Sequence, residues 1–182
     1  MRKIIYGINL TVDGCCEHTK LSGSDEMHDY FTDLMSDIGL LLYGRKTYQL
    51  MVPYWPDVVK NPSDNESANK FAQVFDSLDK VVFSRTLNTV EGNTTVFRSN
   101  LEEEVLKLKK QPGKNISIGG VDLPSQLMAM GLIDEYYFLV HPTIGGQGRR
   151  LFEDTVLEMP LNVKLIESKV LPSGAISLHY SK

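Results

Sequence analysis

Apolar and polar positions along the chain follow two periods, one of strands and one of helices. Lys3 to Leu10 is rich in β-branched and aromatic residues and stops at Thr11-Val12-Asp13-Gly14, which predicts a strand running into a turn. Beyond a loop reaching about Asp25, Met27, Tyr30, Phe31, Leu34, Met35 and Ile38 recur at three- and four-residue steps. That spacing predicts an amphipathic helix lying on a sheet, with Glu26, Asp29, Asp33 and Asp37 turned outward. Ile38 to Tyr43 is then apolar apart from Gly39 and ends at Gly44, as strands covered on both faces do, and a short helix is expected from Arg45.

Pro53, Pro56 and Pro62 lie among small polar residues, so residues 53–65 read as a long surface connection of the kind that covers a site. Helix returns over Glu66 to Leu78, with Ala68, Phe71, Ala72, Phe75 and Leu78 on one side, followed by strands at Lys80 to Phe83 and around Val96-Phe97. Asn100 and Glu103 have the spacing of a capping box before the stripe Leu101, Val105, Leu108, which Pro112-Gly113 ends. Asn115 to Ile118 reads as a strand, Leu123, Leu127 and Met130 as a helix closed by Gly131, and Ile133 to His141 as a further strand. Strands over Leu161 to Leu171 and Ala175 to Tyr180 are joined across Pro172-Ser173-Gly174 as an antiparallel hairpin. Strands alternating with helices and closed by a hairpin predict an α/β protein of three layers around a mixed sheet, as one domain over residues 1–182.

Composition narrows the partners. With 23 acidic and 19 basic residues the net charge is −4, and no basic run marks a nucleic-acid or anionic-membrane surface. No apolar stretch approaches the roughly 20 residues that span a bilayer, and the N-terminus lacks the cleavage pattern of a secretory signal. The two cysteines, Cys15 and Cys16, are neighbours, which gives neither a disulfide framework nor zinc knuckles and fits a reducing, cytoplasmic setting. His18, His28, His141 and His179 have no ligand-like spacing, so no metal is expected.

Three strand ends carry the candidate chemistry. Gly44-Arg45-Lys46-Thr47 sets two cations at a helix start, where unpaired amides already favour an anion such as phosphate; the alternative is two side chains splayed into water. Ser84-Arg85 pairs a hydroxyl with a guanidinium fork suited to a phosphate monoester, or is an incidental surface dipeptide. Gly119-Gly120-Val121 runs from strand to helix and lets a ligand approach the backbone, unless it is only a tight turn. Neither a Walker lysine pattern nor a GxGxxG fingerprint is present.

Taken in order, NLTVDG, LLLYGRKTY, VVFSR and ISIGGVDLPSQLMAMGLIDEYYFLVHPTIGGQGRRLF resemble the dihydrofolate-reductase-like superfamily. The similarity is greatest to the branch holding the reductase half of the bifunctional riboflavin-biosynthesis deaminase-reductases, and it covers nearly the whole chain. The resemblance implies a mostly parallel sheet with a C-terminal antiparallel pair and NADPH lying across the strand ends. It implies that Gly44, Arg45, Lys46 and Thr47 meet the cofactor phosphates and that Ser84 and Arg85 meet the adenosine 2′-phosphate. Gly119, Gly120, Val121 and Leu123 would lie beside the pyrophosphate and nicotinamide, and a homodimer would form through the C-terminal strands and residues Gly145 to Leu151.

Two departures bear on the substrate. The Thr11 to Asp25 loop lacks the Leu-Pro-Trp element that folate reductases share, and His28 and Asp29, nearest by spacing to the pterin-binding acid, fall on the acidic, solvated side of their helix. Dihydrofolate is therefore not the expected substrate. Neither H-x-E nor P-C-x-x-C occurs, which removes zinc-dependent deamination. The expected activity is hydride transfer from NADPH to a small pteridine- or pyrimidine-like heterocycle or a carbonyl compound; the alternative is a non-catalytic NADPH-binding homodimer or sensor. Asp13, in a turn that the resemblance sets beside the nicotinamide, is the leading acid if an apolar ring raises its pKa, and otherwise an ordinary Asp-Gly turn residue. Tyr54 and Trp55 could stack on the substrate or pin their loop.

Overall fold

Alternation along β2 (Ile38–Gly44) shows how the layers arise. Leu40 and Leu42 pack with Ile4, Tyr6, Ile116 and Ile118 on one face of the sheet, whereas Ile38, Leu41 and Tyr43 pack with Ile5 and Val82 on the other. Successive Cβ atoms of a strand point to opposite faces, so a strand this apolar must be covered twice. The first cover is α5 (Leu101–Lys110) and α6 (Asp122–Ala129), through Val105, Leu108, Leu123 and Leu127. The second is α1 (Asp25–Leu34), α2 (Arg45–Met51), α3 (Tyr54–Lys60) and α4 (Glu66–Ser77), which add Tyr48, Trp55, Phe71 and Phe75. The computed structural model describes residues 1–182 except Ser22, Asp154, Val156 and Glu158.

Among the described residues the sheet has eight strands. From one edge they run β4 (Thr94–Phe97), β3 (Asp79–Phe83), β2, β5 (Asn115–Ile118), β1 (Ile4–Thr11), β6 (Glu135–His141), β8 (Ile176–Ser181) and β7 (Lys164–Val170). Neighbours from β4 to β6 are parallel, β8 is antiparallel to β6, and β7 is antiparallel to β8. The expected three-layer, mostly parallel sheet with a C-terminal antiparallel pair is therefore present. Gly44 lies opposite Phe83, Phe83 opposite Phe97, and Ile118 opposite both Leu42 and Tyr6, so these strands finish along one edge. The chain moves outward from β2 to β3 and β4, then returns through α5 to the other side of β2. Such a reversal opens a crevice beyond the carboxyl ends of the strands, where α/β sheets bind ligands.

Local chemistry sets most of the boundaries. Ser24 caps α1 by accepting from the Met27 amide at 3.2 Å, with Asp25 and Glu26 in the positive first turn. Asn65 caps α4 by accepting from Ala68 N at 2.7 Å. The hairpin turn forms at Pro172-Ser173-Gly174, with Gly174 at φ +84° and Leu171 N donating to Ala175 O at 2.8 Å.

Several boundaries differ from the sequence expectation. Residues 53–65 are not a plain connection: α3 occupies Tyr54–Lys60. Pro56 falls in its first turn, where a missing N–H forfeits no helical bond, and Trp55, only 9% exposed, anchors the helix to the core. The α1 periodicity does not continue to Ile38, because a 3₁₀ turn at Met35–Asp37 hands the chain to β2. Asn100 does not complete a capping box: its backbone is left-handed at φ 54°, and its side-chain amide donates to the Glu103 carboxylate at 3.2 Å while its side-chain oxygen accepts no amide of the helix. Finally, β7 begins at Lys164 rather than Leu161, and all seven of its residues are exposed, including Leu165, Ile166 and Val170.

Candidate functional site

Two glycines bring the separate strand ends into one site. After β5 the chain turns at Gly119-Gly120, and this turn lies directly against the start of α2. A Cβ on Gly119 would stand 2.7 Å from Tyr43 Cε1, and one on Gly120 would run into Thr47 Oγ1. Gly120 also has φ +86°, a conformation that L side chains rarely adopt. Only glycines allow so close an approach. The turn is held by Gly119 N donating to Leu42 O at 3.3 Å and by the buried Tyr6 hydroxyl donating to Gly120 O at 2.8 Å.

The crevice beyond these strand ends is a cavity of about 1000 Å³. That is the upper end of the roughly 300–1,000 Å³ range of small-ligand sites. Gly44, Arg45, Lys46, Thr47, Ser84, Arg85, Gly119, Gly120, Val121 and Leu123 all lie on its wall, so every residue assigned from sequence to the cofactor reaches the same space. Arg45 and Arg85 are exposed and have no carboxylate partner among the described residues; Arg45 donates to Thr86 Oγ1 at 3.1 Å. The buried Ser84 hydroxyl accepts from the amides of Leu87 and Thr86 at 3.0 and 3.3 Å, which closes the turn after β3 and leaves its own proton free to donate outward.

Sequence reasoning missed part of this wall. Arg98, Ser99 and Asn100 follow β4 as Ser84-Arg85 follows β3, and Arg98 donates to Leu87 O at 2.9 Å, bracing the two turns together. An arginine and a serine directly after Phe97 were the signal. Asp122, at the start of α6, was missed as well. It pairs with Arg149 and lies 3.8 Å from the Lys46 amine, and its carboxyl is held below the usual range chiefly by the Arg149 hydrogen bond. Lys46 is thus partly engaged and Arg98 donates to the Leu87 and Arg85 carbonyls, whereas Arg45 and Arg85 are the cations least tied by the chain.

The opposite end of the cavity is built from helices. Met27, Phe31 and Leu34 of α1 face Met51 of α2, Trp55 of α3 and Phe71 of α4. Trp55 packs 4.5 Å from Phe71 between ring centroids. Tyr54 does not reach this wall: it is 59% exposed and meets Trp55 edge-on from outside, so of the two aromatics proposed to stack on a substrate only Trp55 can do so. His28 also lines the cavity, edge-on to Trp55 at 5.6 Å, which corrects its expected place on the solvated side of α1; Asp29 does lie there. Burial pushes the His28 pKa down.

Asp13 is not on the cavity wall. Its carboxylate accepts from Thr11 Oγ1 at 2.5 Å and from the amides of Gly145 and Gly146 at 2.8 and 3.0 Å, and Arg150 stands 3.3 Å away. These bonds, the Thr11 hydroxyl first, hold its pKa far below the usual carboxylate range, opposite to the rise that a proton donor would need. Asp13 ties the loop after β1 to the loop after β6. Beside it Cys15 is buried under Gly145 and Gly148, whereas Cys16 reaches the cavity wall; both thiols are free. His141 pairs at 2.9 Å with Asn9, which lines the cavity, and His179 pairs with Glu135 at 3.2 Å away from it; neither histidine is itself on the cavity wall.

Comparison with known proteins gives the fold and the family. The uncharacterized protein YyaP of Bacillus subtilis (strain 168) is 32% identical over 188 residues, covering 98% of this chain and 94% of its own. Among solved structures, a pyrimidine reductase-like protein from Corynebacterium diphtheriae has the same fold, with a TM-score of 0.67 and 16% identity over 99% of this chain and 91% of that one. So does dihydrofolate reductase from Enterococcus faecalis complexed with NADP(H), with a TM-score of 0.63 and 15% identity over 98% and 95%. The model of the RibD C-terminal domain family matches residues 2–177, and the chain belongs to that family.

Proposed function

We propose that this protein is an NADPH-dependent reductase acting on a small heterocyclic, pteridine- or pyrimidine-like, or carbonyl compound. The observation that carries the reading is the convergence of four strand ends on one cavity with a cationic half and an apolar half. The donor set fits a phosphorylated dinucleotide. Arg45 and Thr47, beside the glycine turn, suit a pyrophosphate, and Ser84, Arg85 and Arg98 suit a terminal phosphate monoester, for which a guanidinium fork is the best-matched partner. A neighbour of the same fold that is complexed with NADP(H) supports the cofactor class.

Bound there, the cofactor would supply a hydride. The chain's own contribution is to hold the two reactants together and keep water out, since near-attack geometry provides much of such a rate enhancement. The Gly119-Gly120 turn and Leu123 lie between the two halves, and Asp13 shapes the adjoining loops rather than moving a proton. Millimolar NADPH should raise the melting temperature and draw energy transfer from Trp55, the single tryptophan; if it does neither, the proposal is wrong.

One observation favours a second reading, a non-catalytic NADPH-binding homodimer. The acid expected from sequence, Asp13, is fully engaged in hydrogen bonds away from the cavity. Steady NADPH consumption in a screen of oxidised acceptors, slowed at limiting NADPH by Arg45→Ala, would exclude it. Under either reading a second copy is the expected partner: β7 and β8 leave Leu165, Ile166, Val170 and Ile176 exposed at the sheet edge. Light scattering should give twice the chain mass, and a strict monomer would contradict this. Two free, adjacent thiols accord with a reducing cytoplasm.

A further inference from the structure

The floor of the helix-built half is the sheet, and β1 supplies its polar group. Gly7 lies directly under α1: a Cβ there would stand 3.0 Å from Leu34 Cδ2 and 3.3 Å from Phe31 Cε1. Side chains two residues apart on a strand share a face, so Asn9 lies on the same side, one step nearer the carboxyl end where the crevice opens. Across the sheet it faces Leu139, which packs against Met27, Tyr30 and Phe31 of α1. On the other flank β5 ends at Ile118, opposite Tyr6, so β1 runs on past its neighbour and borders the cavity through Gly7, Ile8 and Asn9.

Asn9 is a polar side chain in apolar company, and half of its amide is already committed. Its Oδ1 lies 2.9 Å from His141 Nε2; an amide oxygen can only accept, so Nε2 carries the ring proton and donates it. Burial keeps the ring neutral at pH 7 although Glu26 favours its charged form, so Asn9 takes the single N–H that a neutral imidazole has. That bond fixes the amide plane and leaves Nδ2 as the free end. The sealed, unpaired side-chain atoms among the described residues are His28 Nδ1 and Thr155 Oγ1; Nδ2 is not one of them, and on this half-buried residue it stays open to a ligand. Neighbouring donors are engaged: the Thr11 hydroxyl donates to Asp13, and the Cys16 thiol donates to Arg149 O at 3.3 Å. Ser117, on the same face and also on the wall, lies opposite Ile5, roughly 13 Å along the strand from Asn9 at about 3.3 Å per residue.

We propose that Asn9, held by His141, is the specificity-determining contact of this half: its Nδ2 donates a hydrogen bond to a carbonyl oxygen or an unprotonated ring nitrogen of a small ligand whose remaining surface meets Met27 and Phe31. A ligand without an acceptor at that point leaves the amide N–H desolvated and unpaired, and one presenting an N–H sets donor against donor. A site built around a hydrogen bond rejects both more strongly than shape alone does. His141 acts through Asn9 and is a positioning residue. The proposal deepens the reductase reading and rests on it only for calling the ligand the hydride acceptor.

Three flat bicyclic probes of nearly one size test it: 1-indanone, with a carbonyl; 1-methylideneindane, the same outline with a methylene in place of the oxygen; and indole, which has an N–H and no such acceptor. Titrated by nuclear magnetic resonance into the isotope-labelled chain, 1-indanone should move the Asn9 side-chain amide signal, identified by its loss in Asn9→Asp, and bind about tenfold tighter than either other probe. Asn9→Leu should abolish that preference, and so should Asn9→Asp, which keeps the shape and removes the donor; if Asn9→Leu does not fold, Asn9→Asp decides alone. His141→Leu should lose most of the preference, and His141→Gln, which still donates to Oδ1, should keep it. No binding of 1-indanone, an unmoved Asn9 amide, equal affinities for the three probes, or a preference that survives in Asn9→Asp or in His141→Leu would overturn the proposal. The preference without any NADPH binding would sink the reductase reading and leave this one standing, and NADPH binding without the preference would do the reverse.

Discussion

The two halves of the cavity are built by opposite means. The strand-end half is made of backbone turns and exposed cations, whose side chains bury little and whose cost is electrostatic. The helix half is made of aromatic and aliphatic side chains that are also part of the core beneath α1 to α4. Substitutions in the first half should therefore alter binding and leave folding alone, whereas those in the second should disturb both.

The largest effect is expected for Trp55→Ala. Truncating a buried aromatic of this size typically costs about 3–5 kcal/mol, and because Trp55 borders open space the low end applies, about 3 kcal/mol by denaturant unfolding. A cost below about 1 kcal/mol would mean that the helix half is not part of the core. Gly120→Ala probes the seam between the halves. A left-handed backbone and a clash with Thr47 should together cost about 2 kcal/mol and weaken NADPH binding by more than the Trp55 variant does. Equal NADPH affinity in the two variants would remove the seam from the account.

How much was legible follows the same division. GRKT, FSR and IGG are contiguous segments at strand ends, where the period of apolar residues stops and glycine or arginine begins, so sequence alone could gather them. Arg98-Ser99 obeyed that rule and was passed over. The helix half joins Met27, His28, Met51, Trp55 and Phe71 from four helices, and no local pattern announces it. His28 was set on the wrong side because its acidic neighbours suggested a solvated face, while α3 was obscured by prolines that a first helical turn accommodates. The Asp13 reading failed for a related reason: whether an Asp-Gly turn faces a ligand or another loop depends on Gly145 and Gly146, more than a hundred residues away.

Asp13→Asn gives a smaller effect with a defined pH dependence. Because folding lowers the Asp13 pKa, the carboxylate stabilises the native state fully above its ordinary value of about 4 and progressively loses that advantage as pH falls below it. The melting temperature of Asp13→Asn should thus lie below that of the original chain at pH 7, and the gap should begin to narrow as pH falls below about 4. A difference growing toward acid would show the carboxyl to be raised instead. Smallest in stability is Arg45→Ala, expected within about 0.5 kcal/mol of the original because the side chain is exposed, yet about tenfold weaker for NADPH. Equal binding would leave Arg45 an ordinary surface cation.

The central claim is that separate strand ends form one cradle for a dinucleotide carrying a terminal phosphate monoester. Energy transfer from Trp55 to bound nicotinamide, titrated with NADPH and with NADH in the original chain and in Arg85→Ala, tests it most directly. The account predicts transfer with both, tighter binding of NADPH, and a preference that Arg85→Ala reduces about tenfold while NADH affinity stays unchanged. No transfer at millimolar NADPH, or a preference indifferent to Arg85, would contradict it.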